Sequence, residues 1–521
     1  MAPSRLLWGL IVVTGLIRLA WAATLGLGMD EAYHYLFLAH PDYSYFDHPP
    51  MLALVEGVGV ALAGGWVAPI TLRLGFVLLF AGSTWLMARL TTRFFGPRAG
   101  LLAAFALNVS AYHTAAAGAF VLPDGPLLFF WLLTLDRVAA AIEAPDRGGA
   151  WPWVAVGLAW GGAMLSKYHA VFLPSGVFLY AALEPSARHL LRRPGPYLAV
   201  AIGLLMFGPV LAWNASHSWA SFAFQGGRAV GPPRFQPDAL LKAVLGQAAY
   251  LFPWIWAYVV AILLGRLRAM LGGRATAAER FLVCQSLAPL AVFTAVACVR
   301  PVLPHWTLVG YLSIFPLVGR AWEARLATSP TATRRRLAIV AAIPVAAMAL
   351  FAVQYRTGGL GRVGAALVAQ VPSSMRARLG LSGKLVDPTA ELYGWGQIVD
   401  EIRRRGLLDR PGTFLFADTW FLSGQLSFAA RDLGVPVLCY NHRDPHNFAI
   451  WSRPEDWIGH DGLLVWVDDP KHGPDYFKRY FEHIDPPIEF QVTRRGQEIR
   501  RVRLFRCARQ VAPFPFGFRP G

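Results

Sequence analysis

The sequence predicts an α-helical, polytopic membrane protein with a C-terminal α/β domain outside the bilayer. Three observations carry that prediction. Of 521 residues, 55% are hydrophobic and 15% charged, where a soluble globular protein has about a quarter charged; the mean hydropathy is +0.42. Long apolar stretches recur up to about residue 356, separated by short charged connections. From about Thr389 the chain turns polar, and short apolar runs alternate with helical spacing.

The spans number about eleven, at roughly 6–28, 69–90, 99–118, 122–140, 152–166, 168–185, 195–213, 244–265, 281–299, 305–320 and 337–354. The first run, Leu6 to Leu27 behind Arg5, is long enough to cross about 30 Å of hydrocarbon. Ala22-Ala23-Thr24 imitates a cleavage site, but a signal peptide has a shorter apolar core, so an uncleaved anchor is expected. The net charge of +17 invites a nucleic-acid partner, and its placement argues against one. Basic residues gather in every second connection: Arg89, Arg93 and Arg98; Arg137 and Arg147; Arg188, Arg192 and Arg193; Arg266, Arg268, Arg274 and Arg280; Arg320, Arg325 and Arg334 to Arg336. That is the positive-inside pattern. With a cytoplasmic N-terminus and an odd number of spans, the C-terminus lies outside.

Three outward segments follow. The first loop, about 29–68, is partly apolar, as a pair of interfacial helices would be. In the second, about 214–243, Gly and Pro of "NASHSWASFAFQGGRAVGPPRFQ" are expected to break any helix. The third is the tail, giving an expected division into a transmembrane domain 1–356 and an extracytoplasmic domain 357–521. Within the tail, "ELYGWGQIVDEIRRRG" reads as a helix, "TFLFA", "GVPVLCY" and "DGLLVWVDD" as buried strands, with a helix between the first two, and "PDYFKRYFEHI" as a helix. Four cysteines make no disulfide scaffold. Cys284 and Cys298 lie in apolar segments, while Cys439 and Cys507 in the tail are candidates to pair in an oxidising compartment.

The candidate chemistry lies on the outward side. Asp30-Glu31 directly follows an apolar run, where charge is costly and calls for a reason. Either the pair caps the membrane boundary, or one carboxylate is a general base for a hydroxyl and the other orients or binds. In "YSYFDHPP", Tyr45, Asp47 and His48 precede Pro49-Pro50; a surface turn, a phosphate contact through His48 and a metal held by Asp47 and His48 are all open. Asp124 in "VLPDGPLLFFW" is a helix cap or faces the same cavity. Lys167 in "LSKYHAV" breaks the positive-inside pattern, with Tyr168 beside it. It is a snorkelling lysine or a lipid-phosphate ligand. Arg228 in "FQGGRA", after His217, is a second outward cation suited to bidentate phosphate contact. Outward acids and outward cations on a lipid-embedded frame converge on a phosphate held at the membrane surface and a hydroxyl-bearing partner.

The stretch "MDEAYHYLFLAHPDYSYFDHPPMLALV" resembles the first extracytoplasmic loop of GT-C membrane glycosyltransferases of family 39, in the bacterial branch that includes rhizobial lipopolysaccharide galacturonosyltransferases. Related protein O-mannosyltransferases and lipid A aminoarabinose transferases carry an acidic pair at the corresponding place. "PDGPLLFFW", "GGAMLSKYHAVFL" and "HSWASFAFQGGRA" extend the resemblance over about residues 1–260. It implies a GT-C fold and inverting transfer of a sugar from a polyprenyl-phosphate donor to a hydroxyl of lipid A, lipopolysaccharide, another envelope glycan or a protein. It places the reaction at the outer face of the bacterial inner membrane. Asp30 matches the acid taken as catalytic, with Glu31 its neighbour. His48, Lys167 and Arg228 would bind the donor phosphate, and Asp47, Asp124, Tyr45, Tyr168 and His217 would line the substrate cavity. The aminoarabinose transferases read Tyr-Phe-acid-Lys-Pro where this chain has Tyr45-Phe46-Asp47-His48-Pro49. An unperturbed histidine is neutral above about pH 7, which shifts the charge onto Lys167 or Arg228. No nucleotide site, metal or other cofactor is required, although a divalent metal stays open. The competing reading is a transporter of lipid-linked sugar, against which stand the absence of sequence repeats and the rim position of the charges.

Overall fold

The structure, a computed structural model, describes residues 2–143, 149–229, 234–359, 387–468 and 472–516, with isolated positions between 363 and 375. Arg147 and residues 230–233 of the second outward segment lie outside the described residues, as does most of the expected onset of the tail domain. The chain divides into two compact units. One comprises Met1–Ala22 and Asp42–Val345, the other Ala23–Pro41 and Ala346–Gly521.

Among the described residues, seven helices are long and apolar enough to cross a membrane: Pro3–Thr24, Pro69–Phe95, Asp124–Glu143, Pro194–Ser216, Pro253–Leu271, Ala277–Ala297 and Pro330–Thr357. Shorter apolar helices cover Met51–Leu62, Pro97–Val109 and Tyr168–Leu183. Several long helices open on proline, which tolerates the first turn because its missing N–H would be unpaired there anyway. Gly96, at φ +89°, turns the chain between the Pro69–Phe95 and Pro97–Val109 helices, a conformation that favours glycine.

The expected span 99–118 is two helices, Pro97–Val109 and Ala111–Ala119, parted at Ser110. Buried Arg18 accounts for the break's polar surroundings. Its Nε donates to the Thr114 carbonyl at 3.1 Å and its terminal nitrogen to Asn108 Oδ1 at 2.9 Å. The Met51–Leu62 helix packs against Pro69–Phe95 through glycine, since a Cβ at Gly59 would stand 2.2 Å from the Thr71 carbonyl. The core of this unit gathers around wholly buried Trp131, Leu132 and Leu135.

The second outward segment departs from expectation. A helix runs from Ala220 to Ala229, because Gly226 and Gly227 fall in its last turn. The break comes earlier, at Ser218 and Trp219, whose φ values are 52° and 58°.

Among the described residues of the other unit, six strands form one sheet in the order β2-β1-β3-β6-β4, with β5 also paired to β6. They are β1 Phe414–Ala417, β2 Val437–Cys439, β3 Gly462–Val467, β4 Phe481–Ile484, β5 Ile488–Arg494 and β6 Gln497–Gln510. β1 runs parallel to β2 and β3, and β6 antiparallel to β3, β4 and β5. Alternation sends Leu415 and Ala417 to a core with the Trp395–Arg404 helix, and Phe414 and Phe416 to a core with Tyr440, Phe481 and Phe514. The Trp395–Arg404 helix buries Trp395, Ile398, Val399 and Ile402, the i, i+3, i+4, i+7 stripe of an amphipathic helix.

Two expectations for the tail are corrected. "PDYFKRYFEHI" is a short 3-10 turn, Pro474–Tyr476, followed by β4; Phe477, Tyr480 and Phe481 bury against the sheet, and pairing with β6 outweighs the helical spacing. Cys439 and Cys507 are both free and buried. They lie on β2 and β6, with β1 and β3 between. Three strand spacings of about 4.8 Å put the thiols beyond disulfide reach.

Candidate active site

The residues singled out from sequence divide between the two units. In the larger unit, the 42–50 segment is held by the chain around 213–225. Trp213 Nε1 donates to Asp42 Oδ2 at 2.8 Å, Ser221 Oγ to the Tyr45 carbonyl at 3.0 Å, and Gln225 Nε2 to the Asp47 carbonyl at 2.8 Å. Phe46 packs on Phe224 with ring centroids 4.7 Å apart. Tyr45 is buried, and its hydroxyl accepts from the Asp42 N–H at 3.1 Å. Burial pushes the phenol up to about 12, so it stays protonated. Asp47 is buried and His48 partly so. Tyr168 lies within reach of Ser44, Asn214, Ser221 and Asp47, and its ring meets Phe222 edge-on at 5.6 Å. His217 stacks on Trp213 at 4.0 Å, its Nδ1 at 2.8 Å from the Trp213 carbonyl.

Lys167 and Asp124 form one ion pair, with the ammonium 2.9 and 2.8 Å from the two carboxylate oxygens. Asp124 is the first residue of its helix, with Pro126 in the first turn. Lys167 stands in extended conformation just after the Trp151–Ser166 helix, its N–H bonded to the Ala163 carbonyl. The lysine is 4% exposed, so it neither snorkels nor stands alone. His169 and His305 are within electrostatic range of the pair. Sequence reading passed over both, although His169 follows Lys167 by two residues in a segment already singled out. Arg228, exposed at the end of its helix, lies over the Phe224 and Trp306 rings at 4.6 and 5.7 Å and has no acidic partner among the described residues.

In the smaller unit, the two adjacent acids differ sharply. Asp30 is exposed on the second residue of the Met29–Ala39 helix. Glu31 is 3% exposed, and its Oε2 accepts the Gly28 N–H at 2.8 Å, closing the helix's first turn. The helix's buried face packs against the Trp420–Ala429 helix, where Tyr33 meets Trp420 at 5.1 Å and its hydroxyl bonds Asn447 Nδ2 at 2.9 Å. Glu391 and Arg500 join this group, and neither was legible as a site residue. Crowding around Glu391, then the charges of Asp30 and Glu31, raise its carboxyl above the usual 4.5. Arg500 stacks over Trp395 at 4.5 Å and donates to the Ala390 carbonyl; burial pushes it down to about 10.

Comparison with known proteins agrees with this architecture. Residues 47–213 match the family model described as dolichyl-phosphate-mannose-protein mannosyltransferase. The chain is 25% identical over 327 residues to lipid A galacturonosyltransferase RgtD of Rhizobium johnstonii, covering 58% of this chain and 63% of that protein. The match thus spans less than two thirds of that relative. The fold is that of ArnT from Cupriavidus metallidurans in the apo state, with a TM-score of 0.61 at 18% identity over 95% of this chain and 97% of that one. The chain therefore has the GT-C fold of that structure and is similar in sequence to the glycosyltransferases named above.

Proposed function

We propose that the protein is an inverting glycosyltransferase that moves a sugar from a polyprenyl-phosphate donor to a hydroxyl of an envelope glycolipid, glycan or protein, at the outer face of the bacterial inner membrane. The observation that carries this reading is the split between the acids. Glu31 is spent on the helix's first turn, which leaves neighbouring Asp30 presented to solvent on a fixed backbone. A general base needs that access and that fixity.

In this mechanism Asp30 takes the proton of the acceptor hydroxyl. The oxygen attacks the anomeric carbon from the face opposite the phosphate, and the bond to the polyprenyl phosphate breaks. The charge released on the phosphate is met by Arg228, whose guanidinium is not committed to a described acid, with His48 as a further donor. Lys167 has an N–H beyond the two that reach Asp124, so it contributes a directed hydrogen bond more than net charge.

The test is transfer by purified protein from a panel of polyprenyl-phosphate sugars to membrane-extract acceptors. Wild type is expected to release polyprenyl phosphate, and Asp30→Asn to lose roughly 10²- to 10⁴-fold in rate, the span attributed to a general base. If no donor is consumed and lipid-linked sugar instead crosses vesicle membranes, the protein is a transporter.

A further inference from the structure

The smaller unit holds a partly open cavity of about 200 Å³ that the transfer mechanism above does not use. It is lined by Trp395, Asp418, Thr419, Trp466, Asp468 and Arg500, and Met29, the residue before Asp30, also borders it. Among the described residues, three buried polar atoms belonging to lining residues have no hydrogen-bond partner: Thr419 Oγ1, Trp466 Nε1 and a terminal nitrogen of Arg500. Those residues are 4%, 3% and 5% exposed. Buried polar atoms are nearly always bonded, and here three orphans belong to residues that line one space.

Thr419 sharpens the point. It occupies the N-cap of the Trp420–Ala429 helix, yet its side chain makes no cap hydrogen bond, the duty threonine ordinarily performs there. Its hydroxyl is left for something else. Asp468, on an exposed turn at φ 59°, and buried Asp418 add carboxylates at the same wall.

The chemistry of the lining selects its occupant. The lining carries donors on Arg500, Trp466 and Thr419, carboxylates on Asp418 and Asp468, and the flat apolar rings of Trp395 and Trp466. A molecule that meets all of these carries several hydroxyls on a compact ring with one apolar face. The volume is below the roughly 300 Å³ at which pockets for drug-sized ligands begin, which suits a single ring.

We infer that this cavity is a saccharide-binding subsite that holds one sugar ring of the acceptor. Binding of the ring stands on the cavity alone; its assignment to the acceptor rests on the transferase reading.

The test titrates full-length, detergent-purified protein with a neutral hexose, a hexosamine, a hexuronate and a hexose phosphate, followed by saturation-transfer NMR. At least one ring is expected to bind wild type and to bind Thr419→Val and Trp466→Phe tenfold or more weakly. Thr419→Ser, which keeps the hydroxyl, is expected to bind as wild type does. Both weakened variants remove a polar atom that no described residue bonds, so their unfolding midpoints are expected at or above wild type. In the transfer assay both raise the acceptor KM tenfold, leaving kcat and the donor KM in place. No binding to wild type, or equal binding to wild type and both variants, overturns the subsite. Transfer with an unmoved acceptor KM overturns its assignment to the acceptor and leaves the transferase reading intact. Ring binding without transfer from any donor overturns the transferase reading and leaves the subsite standing.

Discussion

The Asp124–Glu143 helix carries an acid at its first residue and another, Asp136, past its middle, and the two answer their charge differently. Asp124 meets one lysine, Lys167, at 2.8 Å. Twelve residues on, and so about 18 Å along the axis, wholly buried Asp136 is met by Arg89 at 3.2 Å, Arg93 at 3.5 Å and Arg137. The second arrangement is redundant, for any one arginine can go and the acid stays paired. The first has no reserve. Redundancy suits a membrane boundary, where surplus positive charge also sets orientation; a one-to-one pair suits a place where the cation's direction matters.

The sharpest way to break that contrast is Lys167→Met. It strands Asp124 in a buried setting, and loss of one partner of such a pair costs about 3–5 kcal/mol, with transfer lost as well. Adding Asp124→Asn is expected to recover most of the stability and none of the transfer, read from denaturant unfolding and the polyprenyl-phosphate release rate. A double variant that regains transfer would reduce the pair to a structural clasp. At Asp136, Arg89→Ala is expected to cost about 1 kcal/mol or less, as for half-exposed ion pairs, with transfer unchanged. A loss as large as that of Lys167→Met would erase the distinction.

The smallest expected effect concerns Glu391, an acid set among acids. Its raised carboxyl means that the fold favours the protonated form. That contribution to stability is complete below 4.5, the ordinary value, and is lost as pH rises through the raised one. Glu391→Gln should therefore match wild type in acid and unfold later than wild type at neutral pH, giving a flatter profile of midpoint against pH.

Much of the helical frame was legible because apolar periodicity is a local signal. The helix at Trp395–Arg404 and the strands at Phe414–Ala417 and Gly462–Val467 announce themselves within a few residues. Long-range pairing does not. Lys167 and Asp124 each stood out, yet they lie 43 residues apart and nothing in either segment names the other. Arg89 and Arg93 stood in one basic group and Arg137 in another, and the acid that all three meet was unremarked, because a single Asp inside a span carries no pattern. The same reason hid Glu391 and Arg500, which come together only when β6 folds back beside the turn at Ala390–Leu392. Local spacing misled at Phe481–Ile484, where the partner strand decides the outcome.

Residues 23–41 belong to the same compact unit as residues 346–521, and this has a consequence in time. The ribosome makes the early segment first and works through the whole intervening chain, from Asp42 to Val345, before its companions exist. At about 5–20 residues per second, the helix bearing Asp30 and Tyr33 waits on the order of 15–60 s for the surface it packs on. During that interval its apolar face lacks the Trp420–Ala429 helix that covers it in the folded unit. Shortening the tail is for this reason not a clean domain deletion: it would also uncover the Met29–Ala39 helix.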